Sequence, residues 1–442
     1  MNLDPRLVQH IRGFGQPSGA DAYVLAPETP EQICEIYELA RKSGKSVSFV
    51  GSRRSYGSPM MTPDGIVISL ESFDAIGPIL DGTVQVGGGV TIEQLWRAVA
   101  PQGYWPNVVS GTAKVTIAGA VAMNIHGKNA FRVGNIGEQI TALDLVCPNG
   151  QSSQGVGSMG LLGAVTSATM KLQPIQSASL SVLANVPRTW EEHFSCFNEM
   201  EATSEYMVGW VDMQHSSGRG VFHSANYSPH GAKLDSDQMH HAPLVGLIPR
   251  SEAWRLMRLL NRPGTVKWVN AAKFASARTF NSDKRHLESL AEFNFLLDSI
   301  PGWERAYRTG LLQFHAFVPN DKALELFRQL QSMQSRRKIV STLGVLKQHK
   351  ASPQILPYAL NGFSLAMDFA HQDGLGKLCS DMADVVIDQG GRFYLAKDST
   401  LTADQYQRSL PPGALDEFRR LKQQHDPDNL LQSIQSRHLG LT

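Results

Sequence analysis

The sequence predicts an α+β protein of two domains, and three observations carry that expectation. Its 442 residues exceed what one hydrophobic core usually organises. The first third alternates short helix and strand patterns, as in a domain built from several small sheets. Near Pro174 the composition changes, and longer strand and helix patterns follow with aromatic residues more frequent.

The elements follow in order. Glu28 to Ser43 places Ile33, Ile36, Tyr37 and Ala40 on one helical stripe, with Thr29 as N-cap, Pro30 at the first turn and Gly44 as the stop. A strand over Ser46 to Val50 runs into the loop Gly51-Ser52-Arg53-Arg54-Ser55-Tyr56-Gly57. Strands at Ile66 to Leu70 and Thr83 to Val86 come next, then the triplet Gly87-Gly88-Gly89 and a helix from Ile92 to Ala100. The stretch Val109 to Gln139 is the densest in small residues. Strands at Ile140 to Cys147 and Ala164 to Leu172 flank a turn at Pro148-Asn149-Gly150. Beyond Ser179, strands are expected at Val208 to Met213, Leu311 to Val318 and Phe363 to Phe369, and helices at Ala323 to Ser332 and Gly376 to Gln389. Ser228 to Arg250, with three histidines and no period, reads as a long loop. A strand from Arg392 to Ala396 leads into a polar helical C-terminus.

Composition narrows the function. Hydrophobic residues make up 42% and charged residues 18%, the mix of a soluble globular chain. A formal charge of +1 supplies no broad field for nucleic acid or an anionic membrane, and no nucleic-acid module is present. Cys34, Cys147, Cys196 and Cys379 form no CxxC pair or metal-ligand spacing, so reduced thiols in a cytoplasmic protein are expected and no metal. The first residues, Met1 to Phe14, lack an apolar core, so no signal peptide is expected. No transmembrane run is present; peripheral membrane contact stays open.

Three constellations can carry chemistry. In the Gly51 to Gly57 loop, glycine lets backbone N–H groups turn toward an anion, and Arg53 and Arg54 add charged donors. A solvated surface turn would share that composition. In the second, Gly111-Thr112 and Val115 to Ala120 allow close approach to a flat ligand, and Asn124-Ile125-His126-Gly127-Lys128-Asn129 sets an imidazole and an ammonium beside it. A packed turn with a structural histidine is the alternative. In the third, Lys397 ends a strand-like run beside Asp398; a solvated lysine is the usual case, and a buried one can serve as a base. Gly87-Gly88-Gly89 lacks the Rossmann spacing, and His240-His241 is too little for a metal site.

Together and in this order, RSYG (54–57), GTAKVTIAGA (111–120), IHGKN (125–129) and YLAKDS (394–399) resemble the vanillyl-alcohol oxidase / p-cresol methylhydroxylase class of FAD enzymes. Within it they resemble the branch acting on decaprenylphosphoryl-β-D-ribose. The resemblance implies a PCMH-type FAD domain in two segments, 1–175 and 392–442, with an α+β substrate domain on an antiparallel sheet inserted over 176–391. It implies that Gly51, Arg53, Arg54, Ser55, Tyr56 and Gly57 hold FAD together with Gly111, Thr112, Thr116, Ile117, Gly119 and Asn124. His126, Val165 and Tyr394 would line the flavin. Arg54 stands where many relatives link a histidine covalently to the flavin, so non-covalent FAD is expected.

By the same resemblance Lys397 is the proton acceptor or orienter, with His126 and Tyr56 positioning a sugar hydroxyl. Lys128, Gln313, His315 and Lys347 match substrate-pocket positions. The implied reaction oxidises a sugar CH–OH, the sugar being linked to a polyprenyl phosphate, with a short-chain reductase as partner and a location in the cytoplasm, peripheral contact at the inner membrane staying open. Three departures bear on this. The family's usual glycine is Arg53 here, the 150–160 segment is short, and Ser364 and Ala366 replace an asparagine and a cysteine. A soluble alditol, aldonolactone or nucleoside-like sugar is therefore a second candidate substrate, and a non-catalytic flavin-binding protein a third reading.

Overall fold

The computed structural model describes residues 3–152, 154–231, 233–234, 249–280 and 282–442. His240-His241 and most of the expected loop Ser228 to Arg250 lie outside the described residues. Strands β1 (Val8–Arg12), β2 (Gly19–Leu25), β3 (Val47–Val50) and β4 (Ile66–Ser69) form a sheet in the order β1-β2-β4-β3, parallel on its β2-β4-β3 side. Helix α1 (Pro30–Ser43) makes the crossover. Thr29 caps it by accepting from the Gln32 amide at 3.3 Å, and Gly44 ends it in the left-handed conformation. The expected stripe of Ile33, Ile36, Tyr37 and Ala40 is the buried face, packed on Val47, Ile66 and Ile68.

A six-stranded sheet follows: β5 (Ile76–Leu80), β6 (Thr83–Gly87), β7 (Tyr104–Pro106), β8 (Ile140–Cys147), β9 (Gly150–Ser152) and β10 (Ala164–Pro174). Its order is β5-β6-β10-β8-β9, with β7 beside β10. Helix α2 (Ile92–Val99) carries a capping box between Thr91 and Gln94, and helix α3 (Ile117–Ala122) packs on β10.

The third sheet has eight strands in the order β14-β11-β13-β12-β16-β17-β15-β18. They are β11 (Ser179–Asn185), β12 (Tyr206–Val211), β13 (Gly220–Tyr227), β14 (Lys284–Ser289), β15 (Leu311–Pro319), β16 (Gly344–His349), β17 (Gly362–Ala370) and β18 (Arg392–Phe393). All of its pairings are antiparallel. The strand expected over Arg392 to Ala396 stops at Phe393, because the Lys397 and Asp398 amides both bond to the Tyr394 carbonyl and turn the chain. Strands β1, β2 and β14 were not expected because partly or largely exposed faces blur the alternation that marks a strand, and β13 was not because burial along both of its faces removes the alternation.

The C-terminal segment returns to the first sheet. Leu431 bridges Val47 in parallel, and the Val47 amide donates to Leu430 O at 2.8 Å. A buried ion pair fixes this return: Lys422 Nζ donates to Asp426 at 2.5 Å and to the carbonyls of Leu161 and Leu431, while Asp426 also accepts from the Leu430 and Leu431 amides. Truncating one partner strands the other charge in a dry site. Asp426→Ala should lower unfolding stability by about 3–5 kcal/mol in denaturant titration, and Lys422→Met with Asp426→Leu together should lower it less.

Candidate active site

The three sheets meet at a cavity of about 990 Å³. This stands at the upper end of the ~300–1,000 Å³ range of small-molecule and cofactor sites. One end is backbone. Gly51 approaches Thr116 so closely that an added β-carbon would lie 2.3 Å from its Oγ1, which brings the two small-residue stretches side by side. Among the described residues, the amides of Ser52, Arg53, Arg54 and Ser55, and those of Gly111 and Thr112, donate to no other group of the chain. Arg53 sits at φ 57°, a left-handed position that favours glycine and turns successive N–H groups to one side. The Nε of Arg54 is buried with no partner. Free amides and an orphaned guanidinium nitrogen on one part of the cavity wall fit the pyrophosphate of FAD.

The triplet Gly87-Gly88-Gly89 is no Rossmann turn, but it forms the seam behind that end. Gly88 accepts from the Ala118 amide at 2.9 Å and donates to Thr166 O at 2.8 Å. A β-carbon on Gly88 would lie 2.1 Å from Val165 O. Val165, Gly163, Gly160 and Met159 complete the wall. Met159 and Gly160, at the end of the short 150–160 segment, close this edge, and Met159 is only 7% exposed.

The other end is a chamber of titratable side chains. The Tyr56 amide donates to Ala396 O at 2.8 Å, joining the first loop to the C-terminal turn. Lys397 Nζ consequently lies 3.6 Å from the Tyr56 ring centroid. Burial lowers its ammonium to about 7, opposed by Asp368 and assisted by Lys347. Asp368 is raised to about 6 by burial and accepts from Gln313 at 2.5 Å. His126 packs edge-on against His349 at 4.9 Å and against His315 and Tyr394 at 5.4 Å. Burial and then the Lys347 charge hold all three imidazoles well below the usual range, so they are neutral at pH 7. Lys347 is lowered to about 8 by burial. Lys128 donates to Phe293 O and is lowered by burial and Lys347.

The chamber wall includes Lys397, His126, Tyr394, Lys128, Gln313, His315 and Lys347; the backbone end includes Gly51, Arg53, Arg54, Ser55, Gly111, Thr112, Thr116, Gly119 and Val165. Four expected residues stand behind the wall. Tyr56 is under Lys397, with a buried hydroxyl that has no partner, and Gly57 packs on Asp398 O. Ile117 is core, and its amide bonds to Val90 O. Asn124, at φ 47°, is a brace: its side chain bonds to Ser352 and to the Gly137 amide. Sequence reasoning missed Asp368, Trp210 and Lys273, which strand pairing and helix packing bring to the chamber from distant positions, and His349, which backs His126 from behind the wall. It also missed Asp298, which accepts from Thr112 Oγ1 and the Ala113 amide at 2.7 Å each and latches the Gly111 turn to the inserted segment.

Residues 21–153 match the model of the FAD binding domain. The fold and this match make the chain an FAD-dependent oxidoreductase of the p-cresol methylhydroxylase type. Along 99% of its length it is 28% identical to the decaprenylphosphoryl-beta-D-ribose oxidase of Mycolicibacterium smegmatis, covering 98% of that protein. It is also 29% identical to an alditol oxidase of a Streptomyces species over 37% of this chain and 42% of that protein. A D-lactate dehydrogenase of Archaeoglobus fulgidus is 28% identical over 42% of this chain and 46% of that protein. Among the described residues no helix is long and apolar enough to cross a membrane. Gly88→Ala should fold yet purify with FAD lost or weakened at least tenfold, measured by flavin absorbance per chain after dialysis.

Proposed function

We propose that the protein oxidises a CH–OH carbon of a sugar to the ketone, and that the sugar is carried on a polyprenyl phosphate, as in decaprenylphosphoryl-β-D-ribose. The observation that carries this reading is Lys397: a buried amine, lowered to about 7 by desolvation, on the wall of the cavity that the free amides of the first loop also face. Bound FAD would supply the electron sink, taking the carbinol hydride at N5. Lys397 accepts the hydroxyl proton in the same step. Tyr56 keeps its proton, since burial raises it well above the usual tyrosine range, and from behind the wall its ring packs under the Lys397 ammonium and positions it. His126, neutral, accepts or donates a hydrogen bond and adds no charge against the departing hydride. Lys347 and Lys128 meet the phosphate.

Non-covalent FAD belongs to the same reading, because Arg54 cannot form the link a histidine makes. So do a cytoplasmic location and a short-chain reductase that consumes the ketone. A soluble alditol, aldonolactone or nucleoside-like sugar is the second reading, favoured by Ala366, which takes up less of the wall than a larger side chain, and by Ser364, whose hydroxyl is already engaged by His349 at 2.8 Å.

The sign of the pH dependence follows from the lowered amine. Below about 7 Lys397 gains its proton, so the rate of flavin reduction by substrate should fall about tenfold per pH unit there and level off above. Lys397→Met should keep the bound flavin and lose this limb together with at least 100-fold in reduction rate; an unchanged rate refutes the assignment. Lys347→Ala should raise KM for phosphate-linked ribose roughly 10- to 150-fold, the loss of one charged hydrogen bond of about 1.5–3 kcal/mol, and leave a phosphate-free alditol unaffected. Turnover of soluble sugars alone would decide for the second reading. Acid precipitation should release the flavin into the supernatant.

A further inference from the structure

Among the described residues, nine large hydrophobic side chains are exposed, and seven of them fall between Leu256 and Leu296. They are Leu256, Leu259, Trp268, Val269, Phe280, Leu287 and Leu296; Trp268 is 73% exposed. Helix Pro263–Phe280 explains why these side chains are not simply misplaced core. It already buries Val266, Asn270, Phe274 and Ala277, a full i, i+4, i+8, i+11 stripe, and still leaves Trp268 and Val269 in solvent.

The charge of the same segment is one-sided. From Ala253 to Phe280 it carries six cations, Arg255, Arg258, Arg262, Lys267, Lys273 and Arg278, and no acidic residue, in a chain whose formal charge is only +1. Arg255 pairs with Glu252, but Arg258, Arg262, Lys267 and Arg278 make no ion pair among the described residues. Exposed apolar side chains interleaved with unpaired cations are what an interfacial helix presents to a bilayer. The segment also rims the active-site cavity, whose wall includes Met257, Lys273, Leu296 and Ile300.

We propose that this surface, formed by helices Ala253–Leu260 and Pro263–Phe280 with Leu296 beside them at the cavity rim, docks on an anionic phospholipid membrane and turns the cavity mouth toward it; Leu287 points from the opposite face of its sheet and takes no part. The apolar side chains enter the acyl boundary and the cations meet lipid phosphates. A substrate with a lipid tail would then reach the chamber without leaving the membrane, a consequence that rests on the polyprenyl reading, whereas the docking itself does not.

Co-sedimentation tests the surface without turnover, so a failure of the substrate reading leaves the result intact. The FAD-loaded protein should sediment with vesicles of phosphatidylcholine mixed with phosphatidylglycerol, stay in solution with phosphatidylcholine alone, and be released by added salt. Trp268→Ser with Leu256→Ser, and separately Arg258→Glu with Lys267→Glu and Arg278→Glu, should keep the flavin spectrum. The charge variant should lose more than 100-fold in vesicle affinity, at roughly fivefold per cation. Wild-type protein that ignores anionic vesicles, or variants that sediment as well as wild type, overturns the proposal. So does wild type that dimerises in solution and becomes monomeric on Trp268→Ser without binding vesicles, which would assign the face to a second copy of the chain.

Discussion

The structure depends on one joint between residues far apart in sequence: the hydrogen bond from the Tyr56 amide to the Ala396 carbonyl, 2.8 Å long. It holds the turn that carries Lys397 against the loop that offers the free amides. Gly57 tightens the same joint, since a β-carbon there would lie 2.2 Å from Asp398 O. Gln435 braces it from below through the carbonyls of Leu395 and Asp398. The parallel bridge at Leu431 and the Lys422–Asp426 pair then serve one purpose, to hold the last fifty residues where a lysine from the far end of the chain faces a cofactor site made by the beginning.

Burial of charge is the second organising constraint. Lys128, Lys347 and Lys397 share one chamber with Asp368 and Glu288, and desolvation lowers every ammonium while raising both acids. Such a set is costly to the empty protein and is relieved when an anion enters. The neutral histidines beside it add hydrogen-bonding capacity with no further repulsion.

Much of this was legible in the sequence, and the limits were physical. Periodicity found α1, α2 and most central strands because one face of each is buried. Small-residue density found both backbone stretches because glycine and alanine are what close approach demands. It misread Ile117 and Asn124, which lie in the same run yet serve the core and a brace, since composition cannot say which way a residue in a tight turn points. Asp298, Asp368, Trp210 and Lys273 gave no signal because each is an ordinary residue in its own segment and gains a role only from strand register or helix packing. The segment 253–280 went unremarked, because the exposure of its apolar side chains is set by how its helices pack and not by its letters.

The Asp298 latch ties the cofactor-facing turn to the segment that covers the chamber. The turn it grips, Gly111-Thr112, supplies two of the free amides, while Asp298 itself belongs to the segment roofing the chamber, next to Leu297, whose amide bonds to Gly111 O. Anything that steadies the turn from the flavin side therefore steadies the roof, and anything that lifts the roof loosens the grip on the flavin by the same free energy. Occupancy of the two ligands is thereby made mutually reinforcing, and a protein emptied of its cofactor would also be one with a slacker entrance.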